Sequence, residues 1–448
     1  MSEIRQESKL FRNVGFWPLM GIAVGQIIGA GIMSNTGIAI GMTGTGVALA
    51  FLISPILTLI SITPDAILGA TLPVTGGKYR YTSRMLGKKA GFVYLALYCF
   101  SNLTLSLYAL SFASYLVSIV GGVSAQLVAM VMLTVLYLLN LIGTKSAAIV
   151  NTLMCVLMIG GILLFIGFGA QQVDLGYVFN KDNLFTNGAF GFASTLALLS
   201  FATGGAQVIA EMGGEIKEPG KNIPKVMIVS TLSVGILYVF MACVAAGVLP
   251  MEVTANQPLT AVAREAMPFW AFYLFVIFAA LGATATTLNA QLSWVTKPIL
   301  VACEDGILPK SLASVSSKGV PYKILTLFYI IGMLPLMAGL DLAFVSKTST
   351  AISLALKVLL SFAFLKLPSC YPQQLAASPL RVSNGAVKVI GVVCIILNIV
   401  LSGSLILNLP GYAIIGFAVL VIASIVYANV GLKKAEIPDD LTVDYSAK

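Results

Sequence analysis

The stretch that decides the fold is residues 25–37, Gly25-Gln26-Ile27-Ile28-Gly29-Ala30-Gly31-Ile32-Met33-Ser34-Asn35-Thr36-Gly37. It lies inside the first long apolar run of the chain, where a continuous helix would carry mainly Leu, Ile and Ala. Four of its residues are glycine, which weakens a helix because it has the most backbone freedom to lose. The stretch therefore predicts a helix that breaks near its middle.

The composition of the chain places this break inside a membrane. Of 448 residues, 58% are hydrophobic and 10% are charged, whereas soluble domains carry about 25% charged residues. Roughly twelve apolar runs are long enough to cross about 30 Å of hydrocarbon, where the backbone must be helical to pair its polar groups. The predicted fold class is an all-α polytopic membrane protein. We name the runs spans 1 to 12, at 14–41, 44–69, 91–120, 123–143, 147–170, 189–213, 225–249, 270–300, 322–340, 343–366, 386–408 and 410–431.

A second glycine-rich break is predicted in span 6, at Phe201-Ala202-Thr203-Gly204-Gly205-Ala206-Gln207. The two breaks lie five spans apart, which is typical of transporters built from two five-helix inverted repeats, whose first helices break at the binding site. Broken helices present free N–H groups at one helix end and free C=O groups at the other, matching a carboxylate and an ammonium. The alternative is that small residues, such as Gly25 and Gly29, only allow close helix packing.

The repeats also predict how the chain is organised. We expect a cytoplasmic N-terminus at 1–13, a first repeat at 14–170, a second at 171–366, two C-terminal helices with their linker at 367–431, and a cytoplasmic tail at 432–448. Lys and Arg concentrate in the loops on the side of the N-terminus, which the positive-inside rule assigns to the cytoplasm. The expected location is the bacterial inner membrane.

Charge and residue usage exclude several classes of function. The formal net charge of +9 is explained by loop topology and contact with anionic lipid, so we expect lipid and a small solute as partners, and no nucleic acid. The chain has no histidine, the commonest metal ligand. The spans lack the nucleophile and acid–base constellations of an enzyme, and two single breaks fit a carrier better than a channel. No cofactor is expected beyond a candidate sodium ion, and the chain fits a monomer or a homodimer.

Four motifs resemble the amino acid, polyamine and organocation (APC) transporter superfamily. Residues 29–32, Gly-Ala-Gly-Ile, resemble its signature in span 1. The segments 73–81, 214–224 and 305–309 are similar to its motifs after spans 2, 6 and 8. The resemblance implies a secondary active transporter of amino acids or related amines, with a LeuT-like five-plus-five inverted repeat that works by alternating access.

Within the superfamily, the chain most resembles bacterial arginine/agmatine and related basic amino acid and polyamine antiporters. Residues 14–18, where span 1 begins, are similar to the same position in that group, and Asn102 falls where those proteins place a substrate-contacting asparagine. Phe201 replaces their tryptophan over the substrate, Gln207 replaces a glutamate, and Gln291 replaces a second tryptophan. The loss of that carboxylate favours a neutral substrate at least as much as a cationic one.

The two breaks define the expected substrate site. The N–H groups of Ala30 and Gly31 are expected to bind the substrate carboxylate. Its ammonium is expected at the carbonyls of Ile27, Phe201 and Gly204, with the Phe201 ring closing over the solute. The side chains expected to address the rest of the substrate are Asn102, Gln207 and Gln291. The alternative for each of these amides is a hydrogen bond between helices.

A candidate cation site is implied by resemblance to sodium-driven relatives. Ala283, Thr286 and Thr287 in span 8 resemble their second sodium site, where two hydroxyls and a carbonyl face the carbonyls of Gly25 and Ile28. Hard oxygen ligands suit sodium. The alternative is that these hydroxyls only join packed helices.

Charged residues inside spans indicate a gate. Glu211 in span 6 and Lys297 in span 8 lie toward the cytoplasm, and we expect them to pair as an inner gate. Met158 takes the place of a lysine that some proton-coupled relatives carry in span 5.

The predicted function is an antiporter or exchanger of amino acids or related amines. The alternatives are a sodium- or proton-coupled neutral amino acid symporter and, more remotely, a channel.

Overall fold

The computed structural model of the chain describes residues 14–74, 76–142, 147–213 and 216–432. This part is almost entirely helical, and an isolated β-bridge joins Val14 to Ile216. Eight helical segments of this part are long and apolar enough to cross a membrane, and three shorter apolar helices accompany them. The first segment, Phe16–Thr71, holds both span 1 and span 2. The all-α polytopic fold is confirmed.

The helices follow the predicted spans in order. Span 8 is continuous from Phe269 to Trp294, with a widened π-helical turn at Phe275–Leu281. A separate helix, Gly77–Leu86, follows span 2, and we call it the loop helix. The helices of spans 1 to 12 are Phe16–Ile27 with Ala30–Thr43, Val47–Thr71, Lys88–Ser101 with Thr104–Val120, Ala125–Ile142, Ala147–Gly169, Gly188–Ala202 with Val208–Glu211, Pro219–Gly247, Phe269–Trp294 with Lys297–Glu304, Tyr322–Met337, Leu342–Leu365, Asn384–Ile406 and Gly411–Val430.

Both predicted breaks are present. In span 1 the helix stops at Ile27, and Ile28 and Gly29 are extended before the second helix begins. In span 6 the first helix stops at Ala202, and Gly205 has φ 130°, a conformation that favours glycine because it has no Cβ. The glycines therefore stand where the sequence predicted them to interrupt the helices.

The two breaks pack directly against each other. A Cβ built on Gly31 would lie 2.6 Å from Ala202 Cα, and one built on Gly205 would lie 2.6 Å from the Gln26 carbonyl oxygen. Carbon atoms normally approach no closer than about 3.5 Å, so no larger residue fits at either position without moving the backbone. Small residues at the breaks thus bring spans 1 and 6 into contact.

The rest of the bundle supports this pair of spans. The second half of span 1 packs along the first half of span 6, span 7 packs along span 2, and span 10 packs along span 11. The loop helix is fixed to the end of span 8 by Arg84, which donates two hydrogen bonds to Asp305 at 3.0 and 2.8 Å. The expected N-terminus and nearly all of the expected tail lie outside the described residues, and the repeat boundaries stay a prediction.

Candidate substrate site

A cavity of about 170 Å³ lies where the two breaks meet. It is small compared with the roughly 300–1,000 Å³ of sites that take drug-sized ligands, which suits a small solute. Its wall combines both breaks with side chains from spans 3, 8 and 10 and from the loop helix. The residues that matter below are Ile27, Gly31, Lys78, Asn102, Thr104, Tyr108, Phe201, Gly204, Gln207, Glu211, Thr287, Gln291, Trp294, Thr350 and Lys357.

At the span 1 break, the structure presents both expected helix ends. Ile27 and Gly31 line the cavity, and the first N–H groups of the helix Ala30–Thr43 have no carbonyl within that helix to bind. Ala30 is buried in the hydrophobic core and is not among the residues that line the cavity, so its contact with the substrate carboxylate stays a prediction. The Ile27 carbonyl already accepts a hydrogen bond from the Tyr238 hydroxyl at 3.0 Å.

At the span 6 break, Phe201 forms part of an aromatic wall. Its ring stacks on Tyr108 of span 3 with centroids 6.4 Å apart, and Gly204 lies beside it in the cavity. Gln207 has a structural role beside the substrate contact expected for it, which stays a prediction. Its Oε1 accepts a hydrogen bond from the N–H of Gly205 at 2.8 Å, so this side chain stabilises the break itself although it also lines the cavity.

Asn102 and Gln291 line the cavity together and are bonded to each other. Gln291 Nε2 donates to Asn102 Oδ1 at 2.7 Å and to Thr104 Oγ1 at 2.6 Å. Asn102 Nδ2 in turn donates to the Tyr98 carbonyl at 2.7 Å. The alternative considered for these amides, a hydrogen bond between helices, is present because they join spans 3 and 8. They also line the cavity, and their contact with a substrate stays a prediction.

The candidate cation site is only partly assembled in the structure. Thr287 Oγ1 lies 2.8 Å from the Ala283 carbonyl and 3.4 Å from the Ile28 carbonyl. Thr286 instead donates to Gly282 of its own helix at 2.8 Å, and Gly25 lies half-buried in the last turn before the break. In the described ranges, no cluster of three or more His, Cys, Asp or Glu residues could hold a metal ion.

The expected gate pair of Glu211 with Lys297 is wrong, because Glu211 pairs with Lys78 instead. Lys78 Nζ lies 3.4 Å from Glu211 Oε1 and 3.4 Å from Asp65 Oδ1, and Lys297 forms no ion pair with the residues that the structure describes. The physical reason is that the loop helix, not the last helix of span 8, packs beside Val208–Glu211. One lysine thus bridges two carboxylates at the edge of the cavity.

The charge state of Lys78 follows from this bridge. Burial, the largest influence, lowers the pKa of Lys78, but the carboxylates of Asp65 and Glu211 together outweigh it and leave the pKa raised above 10.5. Lys78 is therefore protonated at neutral pH. The bridge ties span 2, span 6 and the loop helix together.

The opposite end of the cavity is closed. The Tyr115 hydroxyl donates to the Met33 carbonyl at 2.7 Å and accepts from the Leu259 N–H at 3.2 Å. The Asn256 N–H donates to the Gly37 carbonyl at 2.8 Å. This end is buried beneath the 251–266 segment, whereas the Lys78 and Glu211 side chains at the other end remain 24% and 19% exposed. The Lys78 end is accordingly the more exposed of the two ends.

Several cavity residues were not predicted as site residues. Lys357 in span 10 carried a signal, since it is a charge in the middle of a span. Lys78 lies in a loop with other basic residues, and Trp294 and Thr350 look like ordinary residues of packed helices. No sequence signal distinguishes these three from their neighbours.

Two broken helices that meet at a cavity inside a multi-span bundle are typical of membrane transporters with inverted repeats. The chain belongs to the amino acid permease family, whose profile matches residues 14–434. This family consists of membrane transporters, so the resemblance to the APC superfamily is confirmed.

The chain is similar to several bacterial permeases. It is 28% identical over 347 residues to the branched-chain amino acid permease BcaP of Bacillus subtilis, covering 72% of this chain and 74% of that protein. It is 28% identical over 241 residues to the serine/threonine exchanger SteT of the same organism, covering 52% and 55%. It is 25% identical over 333 residues to the amino-acid permease RocE, covering 70% of each. These likenesses do not single out the arginine/agmatine antiporters.

Proposed function

We propose that the protein exchanges neutral amino acids across the bacterial inner membrane by alternating access. The observation that carries this proposal is the cavity at which the two helix breaks meet. Its wall includes Ile27 and Gly31 at one break and Phe201 and Gly204 at the other, where helix ends supply N–H and carbonyl groups that suit a small dipolar solute. An amino acid carries both charges that these ends attract.

The backbone at the breaks binds the part that all amino acids share. The N–H groups of Ala30 and Gly31 receive the α-carboxylate, and the carbonyls of Ile27, Phe201 and Gly204 surround the α-ammonium. Ile27 shares its carbonyl with Tyr238, which a carbonyl with two lone pairs allows. The rings of Phe201 and Tyr108 cover the solute from the side of span 3.

The charges in the cavity wall favour a neutral side chain. Glu211 is the carboxylate among the lining residues that the structure describes, and it shares Lys78 with Asp65. With Lys357 in the same wall, two lysines balance these two carboxylates, so no net negative charge is left to attract a cationic side chain. Two of the similar relatives are named for branched-chain amino acids and for serine and threonine, all of which have neutral side chains.

Alternating access follows from the closed and open ends. In this structure the Tyr115 end is sealed by hydrogen bonds and the Lys78 end is the more exposed. Opening the sealed end requires the bonds of Tyr115 to break, while the Lys78 side closes over the substrate. If the N-terminus is cytoplasmic, the structure is inward-facing.

Exchange is favoured over cation-coupled symport because the candidate cation site is only partly assembled. The Thr286 hydroxyl bonds to Gly282 of its own helix, and the Thr287 hydroxyl lies 3.4 Å from the Ile28 carbonyl. The alternative, a sodium-coupled symporter, is favoured by the approach of Thr287 to the Ile28 carbonyl across the two spans.

Counterflow in proteoliposomes tests the proposal. Vesicles loaded with unlabelled neutral amino acids should take up a labelled one without any sodium or proton gradient, whereas empty vesicles should not. The Thr287→Ala variant should retain this exchange. Uptake that requires a sodium gradient and disappears in Thr287→Ala would establish the symporter instead, and linear uptake without saturation would indicate a channel.

A further inference from the structure

The hydrogen-bond chain in the cavity wall fixes the direction of each amide. The Tyr98 carbonyl can only accept, so Asn102 must turn its Nδ2 toward it, as observed at 2.7 Å. Asn102 Oδ1 therefore faces Gln291, and Gln291 must turn its Nε2 toward that oxygen, at 2.7 Å. A flipped Gln291 would place two oxygens against each other. The Tyr98 carbonyl thus fixes the orientation of the Asn102 amide and, through Asn102, that of the Gln291 amide.

This orientation leaves Gln291 with an acceptor that nothing satisfies. Both hydrogens of its Nε2 are used, one by Asn102 and one by Thr104. Its Oε1 is buried and has no hydrogen-bond partner, and the side chain is only 5% exposed. A buried polar atom without a partner is destabilising, so a ligand that supplies a donor to this oxygen gains affinity.

Two more lining residues carry unpaired polar atoms. Trp294, one turn after Gln291 in span 8, has a buried Nε1–H that can only donate and has no acceptor. Thr350 of span 10 has a buried hydroxyl without a partner. Three residues of the same wall therefore carry one obligate acceptor, one obligate donor and one hydroxyl that can do either, each without a partner in the protein.

We propose that these atoms recognise a hydroxyl group, so that the transported substrates are small neutral amino acids with a hydroxyl on the side chain; this inference rests on the proposed function. A hydroxyl donates to Gln291 Oε1 and accepts from Trp294 or Thr350 at the same time. It is the smallest neutral group that completes both kinds of bond.

Other side chains leave this wall incomplete. An aliphatic side chain leaves the Gln291 oxygen buried and unpaired. A carboxylate brings only acceptors and is repelled by that oxygen. An ammonium can donate to it but must give up its hydration beside a neutral amide and near Lys357, where one carbonyl does not replace the lost water.

Threonine and valine test the inference, because they have nearly the same shape and differ in the hydroxyl. In counterflow with reconstituted full-length protein, threonine should compete with labelled substrate at a concentration at least tenfold lower than valine, and serine at least tenfold lower than alanine. Equal competition within each pair, or a preference for valine or arginine, would overturn the inference while leaving amino acid exchange intact. Failure to exchange any amino acid would remove the proposed function as well.

Variants locate the effect. Gln291→Met keeps the length of the side chain and removes the acceptor together with the bonds to Asn102 and Thr104, so it should lower the preference for threonine over valine at least tenfold. Trp294→Phe removes only the N–H and part of the ring, and should reduce the preference for threonine by a smaller factor. Unchanged threonine-over-valine preference in both variants would contradict the assignment. If Gln291→Met fails to fold, the wild-type comparison and Trp294→Phe still decide.

Discussion

Replacing Gly31 by alanine should separate the two breaks and weaken substrate binding. The added Cβ would lie 2.6 Å from Ala202 Cα, whereas two carbons in contact are about 3.5–4.0 Å apart. Spans 1 and 6 must therefore move apart by roughly 1 Å. Overpacking of this kind costs about 1–3 kcal/mol, which corresponds to roughly 5- to 150-fold in binding if the strain falls on the substrate-bound state.

The matched control is Gly21→Ala in the same span. A Cβ there meets no atom within 4 Å, and Gly21 lies inside the helix Phe16–Ile27, so alanine should be neutral or stabilise the helix by up to about 1 kcal/mol. The assay is the half-saturating concentration for counterflow, with thermal unfolding in detergent as a check on folding.

A second variant sharpens the prediction. Adding Ala202→Gly to Gly31→Ala removes a methyl group but leaves Ala202 Cα, the nearest atom, in place, so it should restore little. The reasoning is refuted if Gly31→Ala binds substrate as well as Gly21→Ala does, or if Ala202→Gly restores binding fully.

Three further predictions concern Lys78 and Arg84, the two charged residues that anchor the loop helix. Lys78→Gln leaves two carboxylates without their shared cation and should destabilise the protein by about 3–5 kcal/mol. Adding Asp65→Asn should recover part of this stability in thermal unfolding. An unchanged stability in Lys78→Gln would show that the bridge is dispensable. Arg84→Lys loses the paired hydrogen bonds to Asp305 and should lower the free energy of unfolding by about 1.5–3 kcal/mol. Its control is Lys221→Arg in an exposed pair, which should change that free energy by less than about 1 kcal/mol. Equal effects of the two substitutions would contradict the structure. The pKa of Lys78 is raised above 10.5, so its contribution to stability is complete below that value and is lost only as the pH rises through the raised pKa. The difference in free energy of unfolding between the wild type and Lys78→Gln should therefore be constant between about pH 6 and pH 9.

The breaks were predictable because their cause is local. Glycine weakens a helix wherever it stands, and the clusters at 25–37 and 201–207 interrupt apolar runs that would otherwise form continuous helices. Their pairing was predictable from the five-span offset. The aromatic at Phe201 and the backbone groups near Gly31 also follow from these positions.

The partners of individual side chains were not predictable in the same way. The sequence places Glu211, Lys78 and Lys297 toward the same side of the membrane, and the packing of the loop helix decides that Lys78 is the partner. Gln207 was expected to face the substrate, and the bond of its oxygen to the N–H of Gly205 two residues earlier was not predicted. Such choices depend on distances of one or two ångströms, which sequence spacing does not fix.

The polarity of the Gln291 side chain shows what the structure adds. A glutamine in a span can serve as donor, acceptor or both. Its direction is decided by the Tyr98 carbonyl through Asn102, and that chain of bonds crosses from span 3 to span 8. The sequence pointed to both amides, and the structure shows which atom is left for a ligand.

Competition by one-ended analogues tests most directly that the two helix breaks bind opposite ends of one amino acid. In counterflow, a transported amino acid should compete with its labelled form. The corresponding amine without the carboxylate, and the corresponding acid without the amino group, should each compete at least tenfold more weakly, because each leaves one helix end unpaired. An analogue lacking either group that competes as well as the amino acid would contradict the account.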